Sequence, residues 1–197
     1  MIVITFGLAG VSACTVKPVA PVEQAVVTVE VVGQERIRFS GKGAGAGMMM
    51  PASMGAMGIA IGVAIDEGIA KDIHQSFIAS GNDLAELVKT ETNAWLSSVC
   101  AQKKTDLDGL CHSDSRLTVR LLRYGFVTTS GNGDPVKPEL EIGFVLGSQE
   151  ERRLSLKDAD DPLKTAELEA IKTEGAASAA LLQNGYQILL EMYQKRL

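Results

Sequence analysis

The stretch SRLTVRLLRYGFVTTSGNGDPVKPELEIGFVLG, residues 115–147, reads as two strands and the loop that joins them. Leu117, Val119 and Leu121 alternate with Thr118 and Arg120, and alternation at period two marks a strand with one buried face. The apolar parity then moves to Leu122, Tyr124 and Phe126, a one-residue slip that predicts a bulge. SGNGDPVKP, with two glycines and two prolines, predicts the connecting loop. Beyond it Leu140, Ile142, Phe144 and Leu146 alternate with Glu139, Glu141 and Gly143, so the two strands are expected to form an antiparallel hairpin.

Working outward, Arg152 to Leu156 is expected to add a short strand, and the acidic KDADDP after it reads as a solvated turn rather than a calcium loop. From Pro162 the chain turns helical. Leu182, Tyr186, Leu189 and Tyr193 share one face, Gly175 is placed to divide the segment, and Ala176, Ala177, Ala179 and Ala180 are expected to let it sit close to its support. Upstream, Asp83 with Glu86 forms a capping-box pattern that starts a helix running to about Val99, with Leu84, Leu87, Val88, Trp95 and Val99 on its core stripe. Earlier still, Val27, Val29, Val31, Ile37 and Phe39 alternate with Thr28, Glu30, Arg36 and Arg38, and Gly33-Gln34 either turns this strand into a hairpin or kinks it. The resulting order predicts an α+β fold: a two-layer sandwich of a small, mostly antiparallel sheet covered by helices, including a glycine-rich apolar one.

That helix falls in segment 43–80. From Gly43 to Ile65 no residue is charged, Pro51 suits a first helical turn, and Gly81 is placed to stop the helix. Gly55, Gly58 and Gly62 fall together on a helical wheel, and small residues at such spacing let two backbones approach, which makes these three the candidate helix-packing or partner contacts. Three readings compete: a helix buried against its own sheet, a glycine zipper that pairs with copies of itself or enters a membrane, and a phosphate loop at Gly41, Gly43, Gly45 and Gly47. The last lacks the GxGxxG register and any following GK[ST].

The chain opens MIVITFGLAGVSAC, an uncharged apolar run closed by small residues, which is how a secretory signal ends and is too short for a mature span. Val11-Ser12-Ala13-Cys14 resembles the lipobox of bacterial lipoproteins. The resemblance implies cleavage before Cys14, a diacylglyceryl group on its sulfur, multiple acylation of the new terminus by fatty acids such as palmitate, and a firm membrane anchor. Thr15 in place of the Asp that retains such proteins at the inner membrane implies the periplasmic face of the outer membrane. No Lys or Arg precedes Lys17, so the translation start is expected upstream. Residues 1–13 are then a signal peptide, 14–24 a Pro-containing lipidated tether, and 25–197 a single periplasmic domain.

In an oxidising periplasm, Cys100 and Cys111 are expected to form a disulfide, while His112 alone gives too few partners for a metal site. A net charge of −5 without a basic face excludes nucleic acid, and no Lys/Arg cluster is present for anionic headgroups. Only His74 and His112 are available as imidazoles, there is no GxSxG, HExxH or paired CxxC, and one Trp makes a poor sugar platform. No catalytic residue, metal or cofactor is therefore expected. The plan loosely resembles small outer-membrane lipoproteins of the LptE and YajG kind, an architectural likeness from which no site residue carries over. The first functional expectation is a non-enzymatic structural or assembly component of a cell-envelope complex, with a protein partner or a second copy as its contact. The second is an auxiliary subunit that holds lipid or another apolar ligand, and the third an envelope hydrolase.

Overall fold

The computed structural model describes residues 24–33, 36–43, 55–102, 109–129, 135–160 and 162–197. The hairpin of the sequence is its spine: β3 (Arg116–Thr128) and β4 (Pro135–Leu146) pair antiparallel, with a register break between Leu121 and Arg123 that leaves Leu122 as the bulged residue. Each long strand carries two short ones end to end on its outer side. β1 (Val26–Val31) and β2 (Arg38–Ser40) both pair parallel with β3, and β5 (Arg152–Ser155) and β6 (Ala166–Glu167) both pair antiparallel with β4. Gly33 at φ +69° therefore kinks the first strand rather than reversing it, and the chain regains β3 at Gly125.

Among the described residues four helices supply the second layer: α1 (Gly55–Ala79), α2 (Leu84–Ala101), α3 (Leu168–Thr173) and α4 (Gly175–Arg196). The fold class is thus α+β, with a mixed six-stranded sheet and helices on one face. Leu117, Val119, Leu121, Tyr124 and Phe126 of β3 and Val136, Leu140, Ile142 and Phe144 of β4 are buried beneath the helices. The opposite face is half-exposed and held by cross-strand charges, Glu30 to Arg120 to Glu151 and Arg123 to Glu139. Such pairs contribute little individually in water, about 0–1 kcal/mol, so the helix-covered face carries the stability.

α4 lies against β4 and buries Leu182, Tyr186, Leu189 and Tyr193, the face its spacing predicts. The expected alanine seat is corrected in part: Ala177 and Ala179 are half-buried, with Ala179 against the core, but Ala176 and Ala180 are exposed, and the closest approaches fall to glycines. A Cβ on Gly185 would lie 2.9 Å from Leu156 and 3.1 Å from Pro138, and one on Gly175 would lie 2.2 Å from the Ser76 carbonyl of α1. Gly175 does divide α3 from α4, as the sequence suggests. α2 packs on α4 around a buried polar knot, where the Thr92 hydroxyl donates to the Val88 carbonyl at 2.6 Å and pairs with the Tyr186 hydroxyl at 2.6 Å. Burial holds the Tyr186 phenol well above the ordinary phenol range, so it stays a neutral hydrogen-bonding group. Tyr193 stacks on Phe144 with ring centroids 4.3 Å apart.

Candidate functional site

α1 meets the sheet end through backbone. Gly62 packs on Gly43: a Cβ on Gly62 would lie 2.5 Å from the Gly43 carbonyl oxygen, and the reverse substitution would be tighter still. One turn on, Asp66 accepts the Gly41 N–H at 3.1 Å and the Gly43 N–H at 2.8 Å through its two carboxylate oxygens. Arg36 pairs with Glu67 at 2.7 Å beside them. So the contact made by Gly62 is with the chain's own strand-to-helix link, and Asp66 fixes it by satisfying two amides that no ladder takes up. Gly55 and Gly58 lie in the same helix. In the same helix Val63 is 58 % exposed and Ile65 38 %.

This glycine contact and the start of the domain stand at opposite ends of β3. Ala25 donates to the Leu110 carbonyl and Val26 to that of Ser115, at the beginning of β3. Ser40 pairs with Val127, and Gly41 abuts Thr128, at its end. Thirteen strand residues separate the two, about 40 Å at strand rise. From Gly62 the helix runs toward the corner lined by Val31, Ile37 and Tyr124, and Gly55 to Ile61 precede the contact in the same helix.

Cys100 and Cys111 form a disulfide with Cα atoms 5.4 Å apart. It joins the last turn of α2 to the segment that seats buried Leu110, whose carbonyl holds Ala25. Both ends of that clamp belong to the pole where the domain begins. Cys14 lies outside the described residues.

At the other end of α1 the helix closes as its Gly81 predicts. Gly81, at φ +75°, donates to the Ile78 carbonyl while Asn82 donates to that of Phe77, the paired bonds of a Schellman cap. Asn82 then ties this corner to α4, its Nδ2 donating to the carbonyls of Phe77 and Gly175 at 3.1 Å each. Asp83 starts α2 by accepting the Glu86 N–H at 3.0 Å, the half of the predicted capping box in which the cap side chain is the acceptor. Between this corner, α1 and the kinked link after β1 opens a hollow of about 800 Å³ lined by Val31, Ile37, His74, Phe77, Ile78 and Tyr124 with Asn82 and Asp83. A second hollow of about 830 Å³, bearing Arg36, Arg38, Asp66 and Glu67, adjoins it across Gly33, Ile37 and His74.

His74 sits on that divide with its Nδ1 buried and without a hydrogen-bond partner among the described residues. Burial, and secondarily the Arg36 charge, lower its pKa from 6.5, so it is a neutral imidazole near pH 7. Burial raises the Tyr124 phenol, with Arg38 opposing and Asp83 adding to the shift. Sequence reasoning missed this hollow, and its sole hints were the two turn glycines, Gly33 and Gly81, and the parity slip at Leu122. Among the described residues no group of three or more His, Cys, Asp or Glu converges as a metal site, and no helix is long and apolar enough to cross a membrane. His112 is exposed, away from His74's hollow. Protein-family models, curated proteins and solved structures yield no match to the chain.

Proposed function

We propose that this chain is a lipid-anchored, non-enzymatic component of a bacterial cell-envelope complex, held at the periplasmic face of the outer membrane by Cys14. The observation that carries the reading is the polarity of the domain. Gln24 stands ten positions after Cys14, a reach of at most about 36 Å. The glycine contact of α1 stands about 40 Å further on, at the other end of β3. The uncharged half of α1 therefore belongs to the pole opposite the tether's attachment. That half then serves as the contact for a protein partner or a second copy rather than as a membrane insertion. The disulfide at the tethered pole accords with an oxidising compartment.

Mass spectrometry of protein extracted from intact envelopes tests the anchor. A chain beginning at lipidated Cys14 is expected, whereas a bare sulfur on a chain still carrying Met1 overturns the proposal. A photo-crosslinker at Val63 tests the contact, with adducts to protein expected and adducts to lipid alone counting against it.

A second reading draws on a different observation. The hollow at the α1–α2 corner has the volume and the mostly apolar lining of a small-molecule site, which favours an auxiliary subunit that carries an apolar ligand.

A further inference from the structure

The lining of that hollow is uneven, and the unevenness specifies a ligand. Its inner wall is built from Ile37, Phe77 and Tyr124, all buried, while Val31 at 48 % and Ile78 at 55 % exposure stand at the mouth. Two large apolar side chains left in water at one opening mark a surface that gains by being covered. Apart from His74 on the divide and the Tyr124 phenol, the polar side chains of the lining are Asn82 and Asp83. Both donors of the Asn82 amide are spent on the Phe77 and Gly175 carbonyls, which leaves its Oδ1 to accept. The Asp83 carboxylate gives Oδ1 to the Glu86 N–H, and its second oxygen has no hydrogen bond among the described residues. Among the described residues Asp83 is the single charged one of the lining; Arg36 and Arg38 belong to the adjoining hollow, where Glu67 holds Arg36, and from there act on His74 and Tyr124.

An apolar wall ending in acceptors and one negative charge fits a molecule with an aliphatic body and a cationic, donor-bearing head. We propose that the hollow binds a single-chain amphiphile with an ammonium head, its chain along Ile37, Phe77 and Ile78 and its head at Asn82 and Asp83. The proposal rests on the carriage reading above and names its ligand class. Because Asp83 is exposed, its discrimination is that of a solvated ion pair, about fivefold at most, and declines with ionic strength.

The test uses the full chain and a neutral apolar fluorophore, N-phenyl-1-naphthylamine, displaced by dodecylamine or dodecanoate below their micelle concentrations. Dodecylamine is expected to displace the probe at about fivefold lower concentration than dodecanoate. Asp83→Asn, which keeps a good helix cap, is expected to abolish that preference. Ala85→Trp, which fills the hollow from the first turn of α2, is expected to abolish probe binding with helix content retained. Failure of the wild-type chain to bind the probe overturns the carriage reading and the proposal together. Probe binding with equal displacement by amine and carboxylate, or with Asp83→Asn as selective as wild type, overturns the ammonium proposal alone. Undiminished probe binding in a folded Ala85→Trp chain overturns its placement in this hollow.

Discussion

Replacing both cysteines of the Cys100–Cys111 disulfide with alanine is expected to destabilise the domain by a calculable amount. The bond closes a sequence separation of 11 residues. Loop-closure entropy for that length, released to the unfolded chain, amounts to about 2.8 kcal/mol at 25 °C. Alanine at Cys100 costs little beside this, because the side chain is small and the position sits at the rim of the core. What is lost locally is the clamp that keeps Leu110 seated and its carbonyl on the Ala25 N–H, so the start of β1 is expected to loosen first. For a domain of this length the loss corresponds to roughly 6–11 °C in Tm. The assay is urea unfolding followed by circular dichroism, with and without a thiol reductant. Reductant is expected to bring the wild-type midpoint to that of the double variant and to leave the variant unmoved. A difference below about 0.5 kcal/mol, or a variant that still responds to reductant, would refute the reasoning, which requires the crosslink to act mainly on the unfolded chain.

Two further expectations concern α1. Gly62→Ala and Gly68→Ala change the same helix by the same atom, yet the first Cβ falls 2.5 Å from the Gly43 carbonyl oxygen and the second meets nothing within 4 Å. Gly68→Ala is expected to stabilise by about 0.4–1 kcal/mol, and Gly62→Ala to destabilise by about 1–3 kcal/mol as the link shifts; equal effects in thermal unfolding would remove the argument for a close backbone contact. His74 supplies a pH dependence. Its folded pKa lies below the unfolded value of 6.5, so the unfolded chain binds more protons and stability falls as pH drops through 6.5 toward the folded pKa. His74→Gln is expected to flatten that part of the stability profile between pH 7 and pH 5.5, roughly the window in which an ordinary imidazole titrates, and a profile identical to wild type would show that the imidazole is not held neutral.

The parts of the fold that sequence made legible are those governed by local rules. The hairpin was readable because Leu117 to Phe126 and Leu140 to Leu146 alternate over a single buried face, and the slip at Leu122 appears as a register break because a period-two pattern admits no other repair. Gly81 ends α1 through its left-handed backbone, and the break between α3 and α4 falls at Glu174, immediately before Gly175. What escaped depends on distant partners. Nothing in Val26–Val31 specifies parallel pairing with Arg116–Leu121, ninety residues on, and β6 is only two residues long. Leu96 and Thr92, buried at the centre of α2, fall outside its predicted stripe, Thr92 because its hydroxyl reads as polar until Tyr186 meets it. For the candidate site, Gly62 was singled out by spacing, but its neighbour Gly43 and the Asp66 brace are nonlocal. The hollow at Asn82 and Asp83 exists only once Gly33 has swung the chain off β3.

The way the sheet is flanked bears on how this molecule behaves in a crowd. Each margin is assembled from two separate short pieces, and the longest uninterrupted one, Val26–Val31, has six residues. A neighbouring molecule trying to extend the hydrogen-bond ladder finds it broken where the backbone departs between the pieces, so strand-by-strand growth into fibres lacks a continuous template. A valine-rich border can thereby persist at high local density without seeding its own precipitation.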